Sequence, residues 1–320
     1  MSRAIPHTAS ATWPAPRPGR FSSSIRSDSP EGCAIALLGL PDDRGVVMNH
    51  GRPGAKEGPA AIRAALSSYG AGYDALHERA VEVRVFDAGD VMASTRSDAR
   101  DALRETHDRA TEAALAIHEA GMIPVCLGGG HDLTFATVRA LAQHSGIGVG
   151  GLNVDAHLDV REEAGSGMPF RALIEGGHVN AKCFTVLGAG RFANAREHCE
   201  WLTERGGRII TVDTALRSEG AVKEAMSRMA SGDAPDAPAF VTIDLDGIDG
   251  SQAPGVSAVN PMGLRVDQAV SAARLAGNRA SVRHFDVMEL SPANDVGGRT
   301  ARIAALLVLT FIAGFAGRAL

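Results

Sequence analysis

Residues 150–160 read Gly-Gly-Leu-Asn-Val-Asp-Ala-His-Leu-Asp-Val, an apolar run that passes straight into Asp155, His157 and Asp159 at every second position. In an extended chain, residues i, i+2 and i+4 point to one side, so these three side chains are expected to converge. Residues 242–248 (TIDLDGI) end a second apolar run in the same way, with Asp244 and Asp246. Gly128-Gly129-Gly130-His131 adds a histidine that follows three glycines, a turn that permits close backbone approach and projects the side chain outward. Six oxygen or nitrogen ligands exceed what one divalent cation needs. Without a cation, so many buried carboxylates would repel one another or stay unsatisfied. Two hard or borderline ions, each with a histidine and several carboxylate oxygens, fit the set. The chain reads as a two-metal hydrolase.

Working outward, short apolar runs bounded by Gly or Asp lie at 34–40, 81–86, 123–127, 150–154, 184–188, 208–212, 240–244 and 283–287. Helical stretches at 58–69, 98–119, 133–144, 194–205, 216–230, 266–276 and 301–315 separate them. This alternation predicts an α/β fold, one parallel sheet of about eight strands covered on both faces by helices. The ligand runs fall just past the carboxyl ends of predicted strands, the rim where open parallel sheets form their sites. Residues 1–30, rich in Ser, Pro and Arg, read as an arm that is flexible or laid over the surface. Residues 31–320 read as a single catalytic domain, and residues 233–238 as a loop between a helix and a strand.

Composition narrows the function. The 320 residues are 45% hydrophobic and 22% charged with a formal charge of −5, and no basic stripe interleaved with aromatics appears. Nucleic acid is therefore not an expected partner. Four cysteines are scattered without a Cys-x-x-Cys pair, and no signal peptide is seen, which points to the cytoplasm. The apolar tail at 303–317 falls short of the about 20 residues a membrane span needs, so no membrane partner is expected. No Gly-x-Ser-x-Gly elbow or Walker sequence occurs.

Around the ligand runs, Glu289 stands at a strand end in residues 285–292 (FDVMELSP), where a carboxylate can hold a cationic substrate group by paired hydrogen bonds. Asp286 reads as structural, Asp132 as the N-cap of the helix after His131, and Asp295 as a cap of the final helix. His50, His77, His107, His118, His144, His198 and His284 fall outside the ligand pattern and read as structural. His178 lies close enough in sequence to the 155–159 run to keep as a lesser candidate.

The runs GGGHD, NVDAHLD and TIDLDGID…APGVSA resemble the metal motifs of the ureohydrolase superfamily, which holds the arginases, agmatinases and formimidoylglutamases. The resemblance extends from about Leu38 to Phe315. It implies an arginase-like three-layer α/β/α fold and a binuclear Mn2+ site with His131, Asp155, His157, Asp159, Asp244 and Asp246 as ligands. Nickel or cobalt would also suit so carboxylate-rich a set. It further implies hydrolysis of a C–N bond at an amidino or guanidino carbon of a small molecule, Glu289 on the substrate's cationic nitrogens, and a homo-oligomer.

Several features lean toward formimidoylglutamase: residues 39–59, Arg161 directly after the ligand run, and residues 166–170 (SGMPF), which resemble that branch's Ser-Gly-Thr-Pro-Phe. Ser166 stands where arginases and agmatinases usually carry a histidine that acts in proton transfer. Arg191-Phe192-Ala193-Asn194 is similar to the branch's substrate-side loop. Met168 and Gly247 depart from the pattern. The expected reaction is N-formimidoyl-L-glutamate plus water to L-glutamate and formamide, a step of histidine degradation. Asp159 would carry a proton to the leaving amine, and Arg161 would pair with a substrate carboxylate, with Arg191 and Asn194 as further candidates. The alternatives are an agmatinase or other guanidino hydrolase that releases urea, with Glu162 and Glu163 available to a terminal amine, and a metal-binding relative without turnover.

Overall fold

The computed structural model describes residues 5–70, 72–229 and 236–318. Its strands are β1 Thr8–Ala9, β2 Ile25–Arg26, β3 Ile35–Gly39, β4 Tyr73–Asp74, β5 Arg79–Ala80, β6 Val85–Val91, β7 Ile123–Leu127, β8 Val149–Val154, β9 Val179–Ala189, β10 Arg208–Thr211, β11 Ala239–Asp244 and β12 Val282–Met288. Its helices are α1 Arg44–Met48, α2 Gly58–Leu66, α3 Ala99–Glu119, α4 Leu133–Ser145, α5 Pro169–Glu175, α6 Arg196–Glu204, α7 Val212–Arg217, α8 Ala221–Ser227, α9 Val266–Asn278 and α10 Arg299–Phe315.

Ten strands form one sheet in the order β1-β6-β3-β7-β12-β11-β8-β9-β10, with β2 also pairing β6. Apart from the antiparallel β1, every pairing in that sheet is parallel. The alternation along β3 shows why helices cover both faces. Ile35 and Leu37 pack with α2, α7, α8, α9 and α10, while Ala36 and Leu38 pack with α3 and α4. On the second face Phe184, Val186 and Phe240 continue the packing with α4, α5 and α6. This is the three-layer α/β/α arrangement.

The chain passes from β7 through α4 to β8, yet β12 and β11 are inserted between those two strands in the sheet. Such a break in strand order opens a crevice at the carboxyl ends. Register brings the four strands to one level there. Leu127 pairs with Val287, Met288 with Asp244, and Ile243 with Val154. Whatever follows these strands must meet above the sheet.

Three expectations shift. The run at 81–86 is strand only from Val85 and continues through Asp87 and Asp90 to Val91. Acids argue against a buried strand, but the fully buried Arg63 of α2 pairs with Asp87 at 3.0 Å and Asp90 at 2.6 Å and supplies the opposite charge. The helix expected at 216–230 is two helices, α7 and α8, parted by Ser218-Glu219-Gly220, and residue 230 lies outside the described residues, as do 233–235 of the expected loop. The arm, expected to be flexible or laid over the surface, is built into the sheet edge from Ile5 onward. β1 and β2 pair with β6, Phe21 is buried, and the Trp13 indole N–H donates to Asp87. Among the described residues no helix is long and apolar enough to cross a membrane. Asp295 does cap α10, accepting from the N–H groups of Thr300 and Ala301 at 2.9 and 3.0 Å.

Candidate active site

The site is built where β7, β8, β11 and β12 end. After Val154 the chain leaves the sheet because the Asp155 carboxylate accepts from its own loop, at 2.7 Å from His157 N. The Asp244 carboxylate does the same with Asp246 N at 2.8 Å, closing a 3-10 turn over Leu245–Gly247. The expected extended i, i+2, i+4 convergence is therefore replaced by two carboxylate-closed turns. The alternate residues still meet, but in two groups. A Cβ on Gly247 would lie 2.8 Å from Asp155 Cα, so glycine is what lets these turns pack together. Gly129 serves the loop after β7 similarly, since a Cβ there would meet the Leu40 and Asp42 carbonyl oxygens at 2.5 and 2.1 Å.

In the first group His131 Nδ1 lies 2.9 Å from Asp159, 3.2 Å from Asp244 and 3.3 Å from Asp155 Oδ2. In the second His157 Nδ1 lies 3.3 Å from Asp246 and 3.4 Å from Asp155 Oδ1. Within each group the ligand atoms lie within 4.8 Å of one another. Asp155 thus offers one oxygen to each, and the two groups are neighbours sharing a carboxylate. The supports are equally specific. Thr242 Oγ1 holds His131 Nε2 at 3.0 Å, which turns Nδ1 toward the acids. Asn153 donates to Asp155 at 3.0 Å. Asn194 accepts from Leu158 N and donates to Ala156 O, at 2.8 and 2.9 Å, so it clamps the ligand loop through backbone.

The electrostatics call for cations. Burial, and then the neighbouring negative charges, push Asp244 and Glu289 well above the usual carboxylate range. Burial likewise drives Asp246 up to about 7, against the pull of His157. Asp246 attracts a proton to His157, and the surrounding acids hold His131 protonated against its burial. Among the described residues, buried His131 Nδ1 finds no partner in hydrogen-bonding geometry, and neither does Asp246 Oδ1. Two imidazoles and four aspartates, with lone pairs aimed at two adjacent points, fit two divalent ions bound through oxygen and nitrogen. Glu289 stands above them, its Oε1 accepting from His131 N at 2.7 Å. Asp159 and Glu289 both hold positive φ, 51° and 67°, which non-glycine residues keep only where surroundings enforce it.

Two chambers open over the centre. The inner, about 120 Å3, is lined by five of the six candidate ligands together with Glu289, Ser166 and Arg161. The outer, about 350 Å3, is reached past His157, Asp159 and Arg161, which border both. Arg161 has no charged partner among the described residues. Ser166 donates weakly to Asn49 at 3.3 Å, and Gly167 N binds the same oxygen at 2.7 Å, fixing this loop to the end of α1. Arg191 does not join them. Its guanidinium is spent on both Asp213 oxygens, at 2.5 and 2.8 Å, and it lines neither chamber. Asp132 occupies the N-cap position of α4 without capping it, because its carboxylate instead binds His107 at 2.7 Å. His198, outside every sequence pattern, lines the outer chamber from the first turn of α6.

The sequence model of the arginase family matches residues 33–314. The chain belongs to the arginase family. Among arginase-family relatives, formimidoylglutamase from Aromatoleum aromaticum is 35% identical, covering 92% of this chain and 87% of its own length. That from Halobacterium salinarum is 34% identical over 90% of each chain. The crystal structure of Trypanosoma cruzi formiminoglutamase with two Mn2+ ions superposes with a TM-score of 0.85 at 29% identity, covering 94% of this chain and 99% of that one. Proclavaminate amidino hydrolase from Streptomyces clavuligerus reaches 0.80 at 26% identity, covering 95% and 98%. The architecture is thus shared by proteins named for different amidino substrates.

Proposed function

We propose that this chain is a manganese-dependent formimidoylglutamase, hydrolysing N-formimidoyl-L-glutamate to L-glutamate and formamide. The relatives of that name support the assignment, as does the solved neighbour with manganese. One observation carries it within this molecule: an unpaired guanidinium, Arg161, borders both the ligand-lined chamber and the larger chamber outside it. A substrate with a cationic amidine at one end and carboxylates behind it matches that order of charges.

When bound, two divalent cations lower the pKa of water and so supply a nucleophile at neutral pH. His131, Asp155, Asp159 and Asp244 would hold one, and Asp155, His157 and Asp246 the other. Glu289, nearly buried beside them, accepts from the amidinium N–H groups and turns its carbon toward the attack, matching positive charge where the tetrahedral centre forms. Water oxygen adds to the formimidoyl carbon, and the bond from that carbon to the glutamate nitrogen breaks. Asp159, on the wall between the chambers, passes the proton that the departing amine takes up. Arg161 grips a carboxylate and sets the depth to which the amidine enters. Ser166, on the inner wall, is held by Asn49 as a polar boundary beside the substrate. The setting on this reading is histidine breakdown in the cytoplasm, by a homo-oligomer.

A terminal amine finds little to greet it. Glu162 is engaged by Arg171 at 2.5 Å, and neither Glu162 nor Glu163 lines a chamber. The test is product analysis of manganese-loaded protein given N-formimidoyl-L-glutamate, agmatine, arginine and guanidinobutyrate separately. Formamide and glutamate from the first compound alone are expected. Urea from any other would move the assignment to a guanidino hydrolase, and no turnover at full occupancy would make the chain a non-catalytic relative.

A further inference from the structure

A substituted glutamate carries two carboxylates, and the reading above accounts for one. Basic side chains are plentiful on the loop and helix that wall the outer chamber, but most are committed. Arg191 is clamped by Asp213, and Arg196 reaches Glu200 at 2.6 Å on the exposed side of α6. Asn194 spends both ends of its amide on the ligand loop. Two groups capable of meeting an anion remain on the chamber wall with side chains that make no hydrogen bond among the described residues: Arg161 and the half-buried His198. Among the described residues the one acid that lines this chamber is Asp159, which belongs to the candidate ligand set.

We propose that His198 is a specificity-determining residue that binds the substrate's distal carboxylate, while Arg161 binds the proximal one. This inference rests on the formimidoylglutamase reading and assigns the second half of its substrate. The assignment of ends follows from position and from covalent structure. The α-carboxylate lies one carbon from the nitrogen whose bond is cut, so it must stay beside the inner chamber, and Arg161 borders both chambers. Three carbons separate the γ-carboxylate from that nitrogen, two more than the α-carboxylate, and His198 lines the outer chamber alone. An imidazole N–H donates to a carboxylate oxygen whether or not the ring is charged, and a charged ring adds Coulomb attraction.

The experiment compares wild type, His198→Ala and His198→Arg on two substrates, N-formimidoyl-L-glutamate and N-formimidoyl-L-alanine, the second lacking the distal carboxylate. For the glutamate derivative, His198→Ala is expected to raise KM about tenfold, the lower end for a lost charge-assisted hydrogen bond. His198→Arg is expected to restore most of it. For the alanine derivative wild type and His198→Ala should share one KM within about twofold, because the group that the imidazole meets is absent. A KM for the glutamate derivative within about twofold of wild type in His198→Ala overturns the proposal. So does an equal rise for both substrates, which would mark His198 as a structural support. Wild type that releases no formamide from either compound would overturn the parent reading, and this inference with it.

Discussion

At the scale of single residues, the candidate metal centre is legible because carboxylates and imidazoles in an apolar context are costly unless they have work to do. Asp155, His157, Asp159, Asp244, Asp246 and His131 could be picked out that way, although the geometry that gathers them is a pair of carboxylate-closed turns and not an extended strand. Arg191 misled for the opposite reason. An exposed arginine beside a substrate loop looks available, and its claim on Asp213, 22 residues away, leaves no trace in the local sequence. His198 was illegible because a lone histidine in a helix's first turn has no pattern to belong to. Arg161 gives the sharpest residue-scale expectation. Arg161→Ala should raise KM for N-formimidoyl-L-glutamate by about tenfold or more, since charge-assisted pairs contribute about 1.5–3 kcal/mol. Steady-state kinetics decide it, and a change within about twofold would remove Arg161 from the substrate's reach.

Between residues and the whole molecule, the elements teach about long-range charge. β7, β8, β11 and β12 are readable as apolar runs, whereas the apolar run before β6 begins several residues early and Asp87 and Asp90 interrupt the pattern of the strand itself. Their partner Arg63 lies on α2, and no window of local sequence connects the two elements. Short α1 and α5 have too few turns to show a period, although Val46 of α1 lines the inner chamber and Phe170 of α5 meets the His131 ring edge-on. The buried pairing predicts its own fragility. Arg63→Met should cost about 3–5 kcal/mol, because two acids of β6 would be left without a counter-charge. Urea unfolding measures this, and Arg63→Met/Asp87→Leu should recover part of the loss. A cost under about 1 kcal/mol in the single variant would show that water reaches the acids instead. The arm shares the dependence through Trp13, which donates to the same Asp87.

For the molecule as a whole, folding brings mutually repelling acids to one point, so metal and stability are linked. The sign can be followed through Asp246. Burial raises its carboxyl from 3.8 to about 7. A raised acid contributes stability that is fully present below the unfolded value and is lost as pH climbs through the folded one. Metal-stripped protein should therefore lose this contribution between about pH 4 and pH 7, and burial raises Asp244 in the same direction. Manganese has the reverse dependence, since it binds the deprotonated ligands. The gap in Tm between loaded and chelator-treated protein should widen as pH rises from 5 to 8. Calorimetry across that range checks it, and a constant gap would mean that the acids are not the metal's ligands.

The left-handed backbone at Asp159 has a consequence for which substitutions the position can tolerate. Asparagine and glycine enter that conformation more easily than any other residues, and both remove a negative charge from a crowded, buried cluster. In a saturation library selected for folded protein under metal-poor conditions, they should outcompete the native acid. Selected for turnover, the same library should return aspartate. The distance between the two rankings would measure how far this position has been held from the choice that folding alone would make.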